Sequence, residues 1–189
     1  MTAAWRRRLE AASEARRLAG DERHEADAAG KLRALGFDVA GWSRGAKTVA
    51  GFATFAGTDG LDRLLTRSEI LVCLLPLTPD TTGILNARTF GRLPRGAGIV
   101  NAGRGGHLVE PDLIPALDSG RLSGAVLDVF REEPLPPDHP FWHHPRILVT
   151  PHVAAETHPP TAAPIIRDAI RRCEAGLPIA NRVDLARGY

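Results

Sequence analysis

Apolar positions along this chain fall into short runs separated by stretches of helical spacing, so the pattern predicts alternating strands and helices. Trp5, Leu9, Ala12, Ala15 and Ala19 recur at helical intervals, and residues 1–24 read as a polar helix with a weak, mostly alanine stripe. Ala28, Leu32 and Leu35 form a second stripe that Gly36 closes, and Phe37 to Trp42 reads as a strand. Further strands are expected at Phe52 to Phe55, Glu69 to Leu75, Gly98 to Asn101, Gly124 to Asp128 and Arg146 to Thr150. Helices are expected at Leu61 to Arg67, Asn86 to Leu93, Glu110 to Ser119 and Ala162 to Ala175. A proline-rich connection, Pro134 to Pro145, interrupts the alternation. Strands joined by helical crossovers imply an α/β fold with a doubly wound parallel sheet, Rossmann-like in class. The longest apolar run, Ile70 to Leu75, has the length of a buried strand and falls far short of the roughly 18 residues of a membrane span.

Composition narrows the function. With 189 residues, 43% hydrophobic and 24% charged, the chain can bury a core, which excludes a disordered or collagen-like polymer. A net charge of +2 gives no footprint for nucleic acid. Only Lys31 and Lys47 are lysine among the 24 basic residues, a skew that reflects coding bias more than a binding surface. Cys73 lies in an apolar run and Cys173 in a predicted helix, so neither suggests a disulfide framework. There is no signal or transit pattern, and the expected location is cytoplasmic, with no membrane partner.

Ligands of open α/β sheets bind beyond the carboxyl ends of the strands, and the residues there carry candidate chemistry. Ser43, Arg44 and Lys47 follow the Phe37–Trp42 strand, where an acid would favour NAD. A hydroxyl and two cations suit the 2′-phosphate of NADP instead, the bland alternative being a solvated turn. Leu75, Pro76 and Thr78 open a stiff loop after the Glu69–Leu75 strand. Ala102, Gly103 and Arg104 follow Asn101, small residues beside a guanidinium able to grip a carboxylate with two hydrogen bonds. Asp128 and Glu133 follow the next strand, and His152 and Ala154 the last. Each is bland alone, but an arginine, an acid and a histidine at one sheet edge suggest a reaction centre.

From about Ala28 to Tyr189 the chain resembles the D-isomer-specific 2-hydroxyacid dehydrogenases, and within them the glyoxylate/hydroxypyruvate reductase A branch. The strings that carry the resemblance are Leu74-Leu-Pro-Leu-Thr-Pro79, Asn101-Ala-Gly-Arg-Gly105, Leu127-Asp-Val-Phe130 with Glu133-Pro-Leu-Pro136, Thr150-Pro-His-Val-Ala-Ala155 and the closing Val183-Asp-Leu-Ala-Arg-Gly-Tyr189. Trp42-Ser-Arg44 points to the branch that prefers NADP, with NAD the other cofactor considered. The resemblance implies an NADPH-dependent reductase of a small 2-oxoacid, glyoxylate or hydroxypyruvate, acting as a homodimer. It implies that Arg104 holds the substrate, that His152 donates the proton and that Glu133 supports the imidazolium. Asp128 would meet the nicotinamide carboxamide, with Ala102, Gly103 and Ala154 lining the ring.

The chain departs from that pattern at its start. No Gly-x-Gly-x-x-Gly turn is present, and no buried strand is legible before Ala28. The expected organisation is therefore an atypical helical segment at 1–27, an incomplete dinucleotide-binding domain at 28–155 lacking its first, central strand, and a C-terminal helix and tail at 156–189 that in the family returns to the substrate domain. Residues 1–27 have the composition expected of GC-rich DNA read from another frame or start. The alternative function is a catalytically impaired fragment or remnant without the pyrophosphate-binding loop, and a corepressor-like binding module is a third. His139, His143, His144, His152 and His158 raise a zinc site, but they lack helical ligand spacing and no metal is expected.

Overall fold

The structure, a computed structural model, describes residues 8–12, 23–46, 52–155 and 159–179. Seven strands form one sheet: β1 (Arg8–Ala12), β2 (Asp38–Ser43), β3 (Ala53–Ala56), β4 (Ile70–Cys73), β5 (Ala97–Asn101), β6 (Leu122–Leu127) and β7 (Ile147–Val149). Their spatial order is β3-β2-β1-β4-β5-β6-β7, and every pairing is parallel. Five α-helices accompany them among the described residues: α1 (Arg23–Ala34), α2 (Gly57–Leu65), α3 (Ala87–Arg92), α4 (Glu110–Asp118) and α5 (Pro159–Glu174). This is the doubly wound class expected from the alternation.

The central slot overturns one expectation. It is not empty: β1 fills it, pairing Leu9 with Val39 on one side and with Ile70 on the other. Residues 8–12 are thus a strand and not part of a helix over 1–24, and the first helix among the described residues is α1. The physical reason is tertiary. Two flanking strands offer rows of otherwise unpaired N–H and C=O groups, and satisfying both rows outweighs the helix preference of Arg-Leu-Glu-Ala-Ala. The glycine-rich turn remains absent from the sequence, since the 13–22 connection holds only Gly20. That connection lies outside the described residues.

The other elements sit within a few residues of their expected bounds, for local reasons. Asn86 caps α3 by accepting from the Thr89 N–H at 3.1 Å. α4 starts with Glu110, Pro111 and Asp112, acids and a proline suited to a helix N-terminus, and stops at Gly120 with φ +67°. α1 closes at Gly36, φ +90°, whose N–H reaches the Arg33 carbonyl. The α1 stripe needs correction: Leu35 is 76% exposed, and the buried contact is Ala29. α2, α3 and α4 supply Leu64, Leu65, Phe90, Leu113 and Leu117 to a core with Leu71, Cys73, Ile99 and Leu127 of the sheet. The alternate positions Ile70, Val72 and Val100 are half-buried, and α5 buries none of its residues. Among the described residues, no helix is long and apolar enough to cross a membrane.

Register fixes where function can sit. Trp42, Ala12, Cys73, Asn101, Leu127 and Val149 are successive partners across the sheet, so six strands end in one row and their following loops share an edge. A filled centre predicts slow exchange for the amides of Leu9 to Ala12, comparable with β4 and β5, and Ala11→Pro should cost about 3 kcal/mol or more by breaking a ladder bond. Hydrogen exchange by mass spectrometry checks it; deprotected 8–12 amides in the folded chain would contradict the pairing.

Candidate active site at the carboxyl edge of the sheet

Beyond β5, Asn101 builds the loop that presents Arg104. Its fully buried amide accepts from the Gly103 N–H at 3.3 Å and donates to the Arg104 carbonyl at 3.2 Å. The Arg104 side chain is exposed, with Nη1 donating to the Gly103 carbonyl at 2.7 Å. Gly105 then lies flush against the next loop, for a Cβ there would fall 1.9 Å from the carbonyl carbon and oxygen of Phe130. No side chain fits that gap. Only glycine lets the Arg104 loop touch the loop that carries Glu133.

Glu133 and His152 meet directly. The Glu133 carboxylate accepts from the Phe130 N–H through Oε1 and contacts His152 Nδ1 through Oε2, both at 2.8 Å. The Phe130 amide and the His152 ring hold the Glu133 carboxyl below its usual range, and the Arg104 charge acts in the same direction. A carboxylate only accepts, so His152 donates from Nδ1 and turns Nε2 outward. His152 has φ +57°, a left-handed conformation uncommon for a side-chain-bearing residue.

Asp128 holds that conformation in place. One of its oxygens accepts from Thr150 Oγ1 at 2.6 Å and from the Val153 N–H at 2.9 Å, and the other accepts from the Ala154 N–H at 3.0 Å. These groups bracket His152 on both sides. Burial opposes the Asp128 charge, but the Thr150, Ala154 and Val153 donors outweigh it and hold the carboxyl below its usual range.

The other residues singled out in the sequence divide by how they are held. Ser43 is buried and donates to the Gly45 carbonyl at 2.7 Å, while Arg44 pairs with Asp80 at 2.8 Å. Lys47 lies outside the described residues. Leu75 is buried, the Pro76 carbonyl accepts from Thr81 Oγ1 at 2.7 Å, and the Thr78 N–H donates to the same hydroxyl at 2.8 Å. Ala102 donates to the Cys73 carbonyl, and a Cβ on Gly103 would lie 3.0 Å from the Leu75 carbonyl. The Ala154 N–H is committed to Asp128. The Ser43–Arg44 turn and the Ala102–Gly103 segment before Arg104 follow β2 and β5 at the carboxyl edge, where sheets of this kind take a dinucleotide.

Four contributors were not legible as site residues: Thr150, Asn101, Asp80 and His107. Thr150 and Asn101 were visible only as parts of strings, and His107 carried no periodic or motif signal of its own. The histidines raised as metal ligands point to different partners, His139 to Glu110 at 3.7 Å and His144 to Asp118 at 3.3 Å. Among the described residues, no group of three or more histidine, cysteine or acidic side chains could hold a metal ion.

A doubly wound parallel sheet with its polar residues gathered beyond the strand ends defines the dinucleotide-binding class. The NAD-binding domain of the D-isomer specific 2-hydroxyacid dehydrogenases matches residues 26–154. A D-isomer specific 2-hydroxyacid dehydrogenase from Xanthobacter autotrophicus Py2, crystallised with NADPH and MES, is 46% identical over 97% of this chain and 73% of its own, with a TM-score of 0.88. An NADPH-dependent glyoxylate/hydroxypyruvate reductase from Sinorhizobium meliloti, crystallised with NADP and sulfate, is 44% identical over 96% of this chain and 57% of its own, TM-score 0.85. A probable 2-hydroxyacid dehydrogenase from Rhizobium etli CFN 42, crystallised with NADP, HEPES and L(+)-tartaric acid, is 38% identical over the same shares, TM-score 0.85. This chain belongs to the D-isomer specific 2-hydroxyacid dehydrogenase family. It spans a little over half the length of the Sinorhizobium and Rhizobium chains.

Two outcomes follow from the geometry. Gly105→Ala should destabilise the chain by about 1–3 kcal/mol or more, because its Cβ would overlap backbone that cannot rotate away; urea unfolding measures it. Asp128 and Glu133 have carboxyls depressed in the folded state, so their contribution is complete above the unfolded value of about 4 and is lost as pH falls through the folded values. Asp128→Asn should lose about 1–3 kcal/mol at neutral pH and flatten that acid-side slope, read from urea midpoints between about pH 6 and 3. An unchanged slope would show that Asp128 is not the titrating clamp.

Proposed function

We propose that the chain carries the cofactor-binding and proton-donating part of a cytoplasmic NADPH-dependent reductase that converts small 2-oxoacids, glyoxylate or hydroxypyruvate, into 2-hydroxyacids. The observation that carries this reading is the 2.8 Å contact of His152 Nδ1 with Glu133 Oε2, whose loop packs on Gly105 beside Arg104. The relatives crystallised with NADPH or NADP support the cofactor, as does Arg44 in place of an acid beyond β2. The domain reading becomes a cofactor domain that includes β1 and runs to residue 155, followed by α5 and a tail that returns to the substrate domain. The partners are a small 2-oxoacid and a second copy of the chain.

NADPH, when bound, supplies a hydride to the carbonyl carbon of the substrate. Arg104 takes the carboxylate and polarises the ketone with its planar fork of donors. As the carbonyl oxygen gains charge, His152 Nε2 delivers the proton that completes the alcohol. Glu133 keeps the ring in the tautomer and plane that aim Nε2 outward, and its negative charge offsets the imidazolium before transfer. The αL turn at His152, held by Asp128, positions the ring without drawing on the mobile substrate.

The impaired-remnant reading rests on one observation, the single glycine between β1 and α1. On that reading a connection poor in glycine offers the pyrophosphate fewer amides, and NADPH affinity and turnover fall. Fluorescence titration with NADPH and its oxidation with glyoxylate separate the readings. A catalytic chain loses about 10²–10⁴-fold in kcat on His152→Ala with NADPH binding nearly intact. Arg104→Ala should raise the KM for glyoxylate. Turnover untouched in either variant overturns the assignment, and folded protein without turnover favours the remnant.

A further inference from the structure

Behind the exposed Arg104 lies a histidine that the proposed reaction does not use. His107 ends the short 3₁₀ turn Gly105–His107 and is 0% exposed. Its Nδ1 lies 3.0 Å from the backbone nitrogen of Arg104, whose N–H donates to it. A backbone N–H can only donate, so Nδ1 is unprotonated and the ring proton sits on Nε2. Nε2 in turn faces the Pro76 carbonyl at 3.3 Å, across 31 residues of sequence. The ring packs edge-on against Gly103, where a Cβ would come within 3.0 Å of Cε1 and Nδ1. One imidazole thus spans two loops, the one that presents Arg104 and the one that opens at Leu75 and Pro76 beside the cofactor strip.

A buried imidazole is an expensive filler. A leucine would occupy the space with no polar atom to satisfy, whereas the ring must find a donor and an acceptor in fixed directions. His107 finds both, and both belong to loops of the site. Burial, reinforced by the Arg104 charge, lowers its affinity for a proton despite the Pro76 and Arg104 carbonyls, so the neutral ring is the working form. Protonation would turn Nδ1 from acceptor to donor. The Arg104 carbonyl, also 3.0 Å away, would then take the place of the Arg104 N–H as its partner.

We propose that His107 is a positioning residue: by accepting from the Arg104 N–H and donating to the Pro76 carbonyl, its neutral ring sets the spacing between the substrate-gripping guanidinium and the wall of the cofactor cleft. The substrate contact of Arg104 rests on the reductase reading above; the strap between the loops does not. Asparagine and glutamine divide the two contacts, because asparagine places an oxygen near the position of Nδ1 and glutamine an amide nitrogen near that of Nε2.

The test uses the full chain without cofactor. Long-range ¹H–¹⁵N spectra of the ring should show His107 neutral with its proton on Nε2 at pH 7. A proton on Nδ1, or titration at the ordinary histidine value of about 6.5, overturns the proposal. Amide exchange at Arg104 should then quicken by about tenfold or more in His107→Leu, the loss of roughly one hydrogen bond, and stay close to the parent in His107→Asn. Equal exchange in parent, Leu and Asn variants overturns it. So does equal loss in Leu and Asn, which would mark a packing role alone. Should the chain turn over glyoxylate, KM rises in Leu and recovers in Asn; should it not, the reductase reading fails while the ring spectra and exchange still decide the role of His107.

Discussion

The structure depends on what fills the middle of the sheet. A parallel sheet with its central strand removed would leave two facing rows of backbone donors and acceptors without partners, each buried group costing on the order of a hydrogen bond. Five residues, Arg8–Ala12, close that gap and pair on both sides. Their register puts Ala12 level with Trp42 and Cys73, which in turn brings the β2 and β4 loops to the row shared with β5, β6 and β7. A slip of one residue in β1 would offset the two halves of the sheet and part Ser43 and Arg44 from the Pro76 loop.

Above that row the loops are held by side chains that accept. Asp128, 4% exposed, ties Thr150, Val153 and Ala154 together, Glu133 ties Phe130 to His152, and Asn101 shapes the approach to Arg104. Hydrogen bonds to a carboxylate contribute about 1.5–3 kcal/mol, against 0.5–1.5 for a neutral pair. Three such bonds on Asp128 suffice to hold His152 in the left-handed region, where strain is of order 1–3 kcal/mol. The His152 loop is therefore held by fixed hydrogen bonds whether or not a ligand is present, which would suit the proton donor of the proposed reaction, whose ring must not reorganise as charge develops.

How much was legible in the sequence follows from where each signal lives. Strands β4 and β5 are continuous apolar runs, and their reading depended on local pattern alone. Arg104, Glu133 and His152 stood out because each follows a strand end, which in a parallel sheet is a spatial statement as well as a sequential one. β1 was hidden because Arg-Leu-Glu-Ala-Ala favours helix and becomes a strand only between two strands already in place. Leu35 misled for the opposite reason: its spacing continues a helical stripe, but the helix ends one residue earlier and the side chain stays in solvent. His107 could not be read because its two partners lie in different loops, and only the tertiary fold brings Pro76 to it.

The glycine-poor connection after β1 carries the remaining energetic question. In a dinucleotide-binding turn, glycines let amide N–H groups reach the pyrophosphate at the start of a helix. With hydrogen bonds to a charged group contributing about 1.5–3 kcal/mol, losing two of them weakens binding by roughly two to four orders of magnitude. On the proposed function, Arg44 beyond β2 would offset a share of that through a 2′-phosphate, but only after leaving Asp80, its partner at 2.8 Å. An exchange of one ion pair for another at a half-exposed side chain yields about 1 kcal/mol at most. The adenosine end cannot replace the missing turn. Tight NADPH binding by this chain would therefore require donors supplied by residues 13–22 themselves, where Arg16 and Arg17 are the cations available.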